Sequence, residues 1–354
     1  MNDHSPRGSG CGSRIALALL ALALASALGW LHAADAGSGW VVPVGETNRP
    51  TWGRRGALLW GLPVGRAPVD GPRGLIRLHY PILTNGGYDL VNFIAIEPVV
   101  AGRRGFSELE PSQLDGVNGK RLQVAGLPGL KPAEGAPSSG RVKRLANGAE
   151  RLTVDVAVER FANGAHVRLQ LVQLSARPDE LELTVQAEPD SAVIEECILT
   201  ATMGNKARAR RLWLADGPTG SRQLYPDYRE PDFAPHRFFG LDRLGRNAAG
   251  DVVVAITNDE PDPAAVEVAP AAAHWNYRGR PVTQYWRKPA GSWAADLRVA
   301  VNGRYTYWMS RHPIPGGVAF ENFELREHFA PGQRVVFGMT FRSPGELGLP
   351  PTRR

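Results

Sequence analysis

The chain has 354 residues, of which 41 are lysine or arginine and 35 are aspartate or glutamate, giving a formal net charge of +6. A chain of this length folds without covalent cross-links, and its two cysteines exclude a small disulfide-dense domain. The basic excess is small and no nucleic-acid-binding motif accompanies it, so nucleic acid is not an expected partner.

The N-terminus has the layout of a secretory signal peptide. Arg7 and Arg14 precede an apolar run over residues 15–30, and Ala34 and Ala36 then form a small-residue cleavage pattern. The run is short for a membrane helix, which needs about 20 residues. Residues 1–36 are therefore predicted to be a leader, and the protein is predicted to be periplasmic or secreted. An uncleaved leader is the alternative, and it would be the protein's contact with a membrane.

Residues 37–354 are predicted to form a single domain of β-strands, because the hydrophobic period is two. Apolar residues alternate with polar or small ones in three consecutive runs: 152–158, 167–171 and 181–185. Asn163 and Gly164 suit a tight hairpin between the first two runs, and residues 177–179 suit a turn between the second and third. Residues 150–188 are therefore predicted to be a β-meander.

Nine further segments have strand patterns: 75–83, 91–99, 192–200, 211–215, 251–257, 297–301, 305–310, 318–325 and 334–341. Asn302 and Gly303 are predicted to join two of them as a hairpin. Residues 125–140 and 258–273 are rich in turn residues, so we expect surface loops there. The 40 glycines and 29 prolines suit many short strands. The predicted fold class is all-β, a large antiparallel β-sandwich with little helix apart from the leader.

Two glutamates occur where the strand face is otherwise apolar. A carboxylate in such a place must be paired, carry a raised pKa or line a cavity. Glu97 is therefore either in a buried ion pair with Arg103 or Arg104, or part of a functional site. Glu321 has the same two interpretations. Glu324 lies on the opposite strand face from Glu321, so these two cannot form an acid/base pair, and Glu321 is the favoured catalytic carboxylate.

One loop-like stretch, residues 224–239, is dense in aromatic and charged residues and contains His236. Tyr225, Tyr228 and Arg237 belong to it, and aromatic faces beside charged groups suit a sugar ring, which stacks its C–H face and hydrogen-bonds at its edge. A loop packed on its own sheet is the alternative interpretation.

A second candidate loop carries Arg311 and His312, which follow a predicted strand and precede a glycine-rich turn at 315–317. Functional residues are common in loops at the end of a sheet. Both residues are therefore candidates for a substrate site.

Two other features have a structural and a functional interpretation. Cys197 lies in an apolar run and is predicted to be a buried, inert thiol; a nucleophile would need a histidine partner. The basic run 206–211 is either a solvated strand end or a site for an acidic glycan, because guanidinium groups pair well with carboxylates. No metal-ligand spacing and no phosphate-binding glycine loop occurs, so neither a metal nor another cofactor is expected.

The segments 318–325 and 329–341 resemble the closing strands of galactose-mutarotase-like supersandwiches. In that family a late strand carries a glutamate base, and a Pro-Gly-Gln or Pro-Gly-Glu turn leads into the last strand. The resemblance implies that Glu321 matches the base and that residues 331–333 match the turn. The family's Arg-His-Gly-Gly signature is absent from the chain. The same supersandwich fold occurs in polysaccharide lyases and other sugar-processing proteins.

Together these features predict an exported carbohydrate-active protein with epimerase- or lyase-type acid/base chemistry on a sugar or uronate. Glu321 would accept a proton, and His236 or His312 would donate one. Arg237 or Arg311 would orient an oxygen or a carboxylate of the substrate, a carbohydrate that includes acidic glycans.

In such an enzyme Tyr225, Tyr228 and Glu97 would also contact the substrate. A non-catalytic glycan-binding or cell-envelope protein of the same fold is the alternative. It would stack sugars on Tyr225, Tyr228 or Trp286 without turnover.

Overall fold

In the computed structural model, the described residues are 39–43, 50–62, 74–112, 119–120, 122–124, 140–203, 206, 208–260 and 262–350. The predicted leader and nearly all of the predicted loop at 125–140 lie outside them. The described residues belong to one compact unit, Ala34–Arg354. None of the helices among them is long and apolar enough to cross a membrane.

The described residues are dominated by strands: β1 (Trp40–Val41), β2 (Thr51–Arg54), β3 (Leu59–Gly61), β4 (Leu75–Tyr80), β5 (Asp89–Val100), β6 (Arg103–Arg104), β7 (Leu122–Val124), β8 (Arg141–Arg144), β9 (Glu150–Val158), β10 (Val167–Leu174), β11 (Arg177–Ala187), β12 (Glu196–Thr202), β13 (Ala209–Leu214), β14 (Gly217–Gly220), β15 (Arg237–Gly240), β16 (Gly245–Arg246), β17 (Val252–Asn258), β18 (Thr283–Lys288), β19 (Arg298–Arg304), β20 (Ala319–Arg326) and β21 (Gln333–Thr340). Helical structure in the same residues is limited to α1 (Ser221–Leu224) and four short 3₁₀ segments: Leu241–Arg243, Pro263–Ala265, Pro270–Trp275 and Pro344–Leu347.

The strands form two antiparallel sheets. The first sheet has the order β1-β2-β3-β4-β5-β12-β20-β19-β15, with β6 beside β5. The second has the order β14-β13-β17-β18-β21-β11-β10-β9-β7, with β16 beside β17 and β8 beside β9. The predicted all-β antiparallel sandwich with little helix is confirmed.

The apolar core contains side chains from both sheets. Leu152 and Val154 of the predicted meander are buried in it, while their alternate neighbours are half-buried. Trp286 of the second sheet packs with its ring centroid 4.7 Å from that of Phe337. Its indole N–H donates a 2.9 Å hydrogen bond to the carbonyl of Phe323 in the first sheet. Because Trp286 is completely buried, it is not a surface on which a sugar can stack.

The hairpin predicted at Asn302 and Gly303 is wrong. Both residues lie inside β19, at a bulge in its pairing with β20. A Cβ atom on Gly303 would lie 2.8 Å from the carbonyl oxygen of Ala319. The glycine therefore serves close approach of two backbones and not a turn. The strand predicted at 305–310 is also wrong, since these residues form an isolated bridge and a turn.

The two turns predicted within residues 150–188 lie at or near their predicted positions. Gly164 adopts a φ of +90° in the predicted turn between β9 and β10. The turn between β10 and β11 lies two residues before the predicted one, because Arg177 and Pro178 already belong to β11. The strands without a prediction are mostly too short to display a period of two, such as β1, β2 and β15.

The two ambiguous features of the sequence are resolved by burial. Cys197 is buried in β12, and burial, followed by the charge of Glu97, raises the pKa of its thiol to about 12. The basic run is not a solvated strand end, because Arg208 is 0% exposed and Arg210 is 1% exposed. Arg211 is the exposed member of the β13 part of the run.

Candidate functional site

Three adjacent strands of the first sheet present polar side chains on the face opposite the core. Thr200 of β12 pairs with Glu324 of β20, and Glu97 of β5 pairs with Ile198, two residues before Thr200. The intervening Leu199 belongs to the core. Since neighbouring side chains alternate between faces of a strand, Glu97, Thr200 and Glu324 share the outer face.

Arg104 links the two carboxylates. A tight turn at Ala101 and Gly102, with φ of +48° and +69°, folds β6 back against β5. The Nη2 atom of Arg104 then contacts Glu97, and it lies 2.7 Å from Oε1 of Glu324. It also lies 3.1 Å from the hydroxyl of Thr200. One nitrogen atom thus pairs with both carboxylates. The predicted ion pair between Glu97 and Arg104 is therefore present in the structure.

His236 also belongs to this group. It directly precedes β15, the strand at one edge of the first sheet. Its Nε2 atom lies 3.3 Å from Oε1 of Glu324, a side chain that is 0% exposed, whereas the imidazole is 27% exposed. The second oxygen of Glu324 lies 3.8 Å from Nη1 of Arg326 and accepts no hydrogen bond within the described part of the chain. We refer to Glu97, Arg104, Thr200, Glu324 and His236 as the Glu–Arg–His cluster.

The environments of the two carboxylates push their pKa values in opposite directions. Burial raises the pKa of Glu97, and the charge of Glu324 raises it further, while Arg104 and Thr200 oppose this only in part. Burial also acts to raise the pKa of Glu324, but the hydrogen bond with His236 and the charge of Arg104 outweigh it and the pKa is lowered. Paired groups with separated pKa values are typical of acid/base sites.

A third carboxyl group stands at the Glu97 end of the cluster. Glu108 follows β6 and is half-buried. Burial, with a smaller contribution from the charge of Glu97, raises the pKa of Glu108 to about 7. At neutral pH its protonated and ionised forms are both populated, so this group is able to give or take a proton.

Two phenylalanines flank the cluster. Phe238 is 53% exposed and its ring lies 6.0 Å from that of His236. Phe106 is also exposed, and the guanidinium carbon of Arg104 lies 5.5 Å from its ring centroid. Apolar ring faces therefore stand beside titratable groups at both ends of the cluster.

The structure brings together Glu97 and His236 from the predicted site residues. Glu321 is buried in β20, but the carboxylate that His236 reaches is that of Glu324, three residues further along. His312 and the exposed Arg311 lie in the loop after β19, and within the described residues no contact joins them to the cluster.

In the aromatic stretch 224–239, the predicted site residues other than His236 do not reach the cluster. Tyr225 is buried, and its hydroxyl lies 3.0 Å from the carbonyl of Pro235. The guanidinium of Arg237 lies over the Tyr225 ring at 5.8 Å. Tyr228 is half-buried against the core. Among these residues, none contacts Glu97 or Glu324.

Sequence reasoning missed the roles of Glu324, Thr200 and Glu108. Glu324 lies on the polar side of an alternating strand, where a carboxylate is ordinarily solvated. The available signal was the pairing of β20 with β12 and β5, which places three polar side chains side by side, and strand pairing is not readable from a single sequence.

Two cavities lie outside the cluster, and none of the cluster residues lines either of them. A cavity of about 700 Å³ on the second sheet is lined by residues that include Asp179, Glu180 and Arg287. A cavity of about 500 Å³ adjoins α1 and the loop before β20, with Arg222 and Arg229 among its lining residues. The carboxylates of the cluster are covered, and the cluster reaches solvent through the side chains of Arg104 and His236, which are 20% and 27% exposed.

Within the described ranges, no three His, Cys, Asp or Glu side chains are grouped closely enough to hold a metal ion. Compared with protein-family models and with curated proteins, the chain matches none. The chemistry of the cluster is therefore the basis for a functional conclusion.

Proposed function

We propose that the protein is an exported carbohydrate-active enzyme that transfers a proton on a sugar or uronate, by epimerase- or lyase-type acid/base chemistry, at the Glu–Arg–His cluster. The contact between His236 and the completely buried Glu324 carries the proposal. A buried carboxylate held against a partly exposed imidazole is an arrangement that orients a catalytic base.

His236 is the proton acceptor in this proposal. When Nε2–H donates to Glu324, the tautomer is fixed and Nδ1 keeps its lone pair. In the described part of the chain nothing hydrogen-bonds Nδ1. The ionised Glu324 then stabilises the imidazolium that forms when Nδ1 takes a proton from substrate. The sequence predicted Glu321 as the acceptor and His236 or His312 as the donor, whereas in this proposal His236 accepts the proton. Glu324 is fully buried and acts by positioning His236.

Glu108 is the proton donor. Its pKa of about 7 keeps a large protonated fraction at neutral pH. The charge of Glu97 acts on Glu108, and His236 contacts Glu324. A sugar lying across Arg104 would therefore have an acid near one carboxylate and a base at the other. The side chain of Arg104 is 20% exposed, and its charge would stabilise negative charge that develops on a substrate oxygen.

The exposed rings of Phe106 and Phe238 would hold the C–H faces of sugar units on either side of the reacting one. Aromatic side chains supply apolar contact area with a defined orientation. Exposed rings at both ends of the cluster suit a polymer better than a free monosaccharide.

The experiment is a rate measurement on a panel of acidic and neutral glycans for wild type, Glu324→Gln and Glu321→Gln. Loss of the oriented imidazole should lower kcat by about 100-fold or more in Glu324→Gln, with KM little changed because Glu324 does not reach substrate. Glu321→Gln is the matched control, because it changes the same residue type three positions earlier on β20. Equal rates for wild type and Glu324→Gln would refute the proposed mechanism.

The second candidate function, a non-catalytic glycan-binding protein, is supported by the exposed rings of Phe106 and Phe238. Two exposed aromatic rings are sufficient for binding without reaction. It predicts affinity for glycans with no turnover on any member of the panel, and loss of affinity in Phe238→Ala.

A further inference from the structure

The cavity of about 500 Å³ has an unusual charge. The charged side chains among its described lining residues are Arg222 and Arg229, and its apolar walls include the buried Ile314 and Val318. A cavity with apolar walls and guanidinium groups lacks the carboxylates that would neutralise it from within. Its lining thus favours an anionic occupant.

Of the two lining arginines, Arg222 is neutralised by Asp259 behind the wall, and Arg229 is not. Asp259 and Glu260 pair with Arg210, and Asp259 also pairs with Arg222. Two carboxylates therefore serve two arginines. Arg229 has no carboxylate within ion-pair distance among the described residues, although acidic residues occur on the exposed loop beside it.

Arg208 does not line the cavity but is a second positive charge without an ion pair in the described structure. It is 0% exposed, and none of its three side-chain nitrogens has a hydrogen-bond partner in the described structure. The hydroxyl of Tyr307 is also buried without a partner, and Tyr307 packs in one apolar cluster with Ile314 of the cavity wall. An unpaired buried cation is costly, and an anion near it lowers that cost.

The cavity is held in shape before any ligand arrives. Nη1 of Arg229 donates to the carbonyls of Pro226 at 3.1 Å and Tyr228 at 2.8 Å, and its guanidinium lies over the Tyr305 ring. Its Nε and Nη2 donors remain for a ligand. On the other wall Arg210 donates to the carbonyl of Gly317 at 3.2 Å and to the carbonyl of Pro315.

We propose that this cavity binds an anionic group, a carboxylate, sulfate or phosphate, through Arg229 and Arg222. The planar guanidinium fork matches each of these groups bidentately, and fixed donors reduce the ordering cost of binding. Binding here does not require the acid/base reaction proposed above. Tyr225 lines the cavity and contacts Pro235, the residue before His236, so a charged glycan held here would lie next to the cluster-bearing segment.

The test is calorimetric titration with an oligogalacturonate and with a neutral oligosaccharide of equal length. It uses wild type, Arg229→Gln, Arg222→Gln and the control Arg168→Gln, which removes an exposed arginine on β10. We expect the acidic oligomer to bind wild type, and its affinity to fall by about 10-fold or more in each cavity variant, about 1.4 kcal/mol. The control should retain wild-type affinity. Circular dichroism of each variant checks that it is folded.

Inorganic sulfate and phosphate, added as competitors, identify the anion. Displacement of the oligomer by either ion supports a general oxyanion site, and no displacement supports a site for the sugar carboxylate. Equal affinity for acidic and neutral oligomers, unchanged affinity in both cavity variants, or an equal loss in Arg168→Gln would overturn the proposal. His236→Gln should keep the affinity and lose turnover, so failure of the cavity and failure of the proposed reaction are separate results.

Discussion

Replacing Arg104 by methionine removes the one positive charge that serves both Glu97 and Glu324. The substitution keeps much of the apolar stem but leaves two carboxylates facing each other on the covered part of the sheet. Removing one member of a buried ion pair typically costs about 3–5 kcal/mol. Arg104 is 20% exposed, and Glu324 keeps its contact with His236. We therefore expect the low end of that range, about 3 kcal/mol at pH 7.

The assay is equilibrium unfolding in urea, followed by the fluorescence of the tryptophans. The matched control is Arg141→Met, because the Arg141 side chain is 61% exposed and its pair with Asp155 should contribute less than about 1 kcal/mol. The loss in Arg104→Met should shrink at pH 5, since burial already raises the pKa of Glu97 and the variant can protonate it. A loss no larger than that of Arg141→Met, or one independent of pH, would show that Arg104 does not neutralise Glu97 and Glu324.

Two further variants test the site and the fold. The raised pKa of Glu108 stabilises the protein below its ordinary value of 4.5, and this contribution disappears as the pH rises through about 7. Between those pH values the free energy of unfolding of wild type should fall by up to about 3 kcal/mol, whereas that of Glu108→Gln should not show this fall. Parallel pH profiles for the two proteins would contradict this. Gly338→Ala, whose Cβ would lie 2.1 Å from the Tyr285 ring, should lower stability by about 1–3 kcal/mol. The control Gly220→Ala meets its neighbours at 3.8 Å or more, and equal stabilities would count against the packing described for β21.

The strands that the sequence predicted are those whose burial alternates. Leu152 and Val154 of β9 display the period of two because one face meets the core and the other does not. β18 carries no such signal: every residue from Thr283 to Lys288 is buried, including Arg287 and Lys288. Their charges are satisfied by Glu180 and Glu327, residues distant in sequence.

The site was predictable only in part for a similar reason. Glu97 was predictable because a carboxylate on an otherwise apolar strand face must be paired, carry a raised pKa or line a cavity. Glu324 occupies a polar face that becomes covered when Arg104 and His236 arrive from other parts of the chain. Which carboxylate His236 meets depends on the register between β20, β19 and β15. The β19–β20 register shifts between Val301 and Gly303, where the sequence resembles a turn.

The most direct test of the account is the rate of glycan turnover in His236→Gln compared with His312→Gln. Both remove an imidazole from a position that the sequence made a candidate, but only His236 contacts the buried Glu324. We expect His236→Gln to lose turnover on an acidic or neutral glycan that wild type processes, and His312→Gln to stay near the wild-type rate. Wild-type turnover in His236→Gln would contradict the assignment of the Glu–Arg–His cluster as the reacting site.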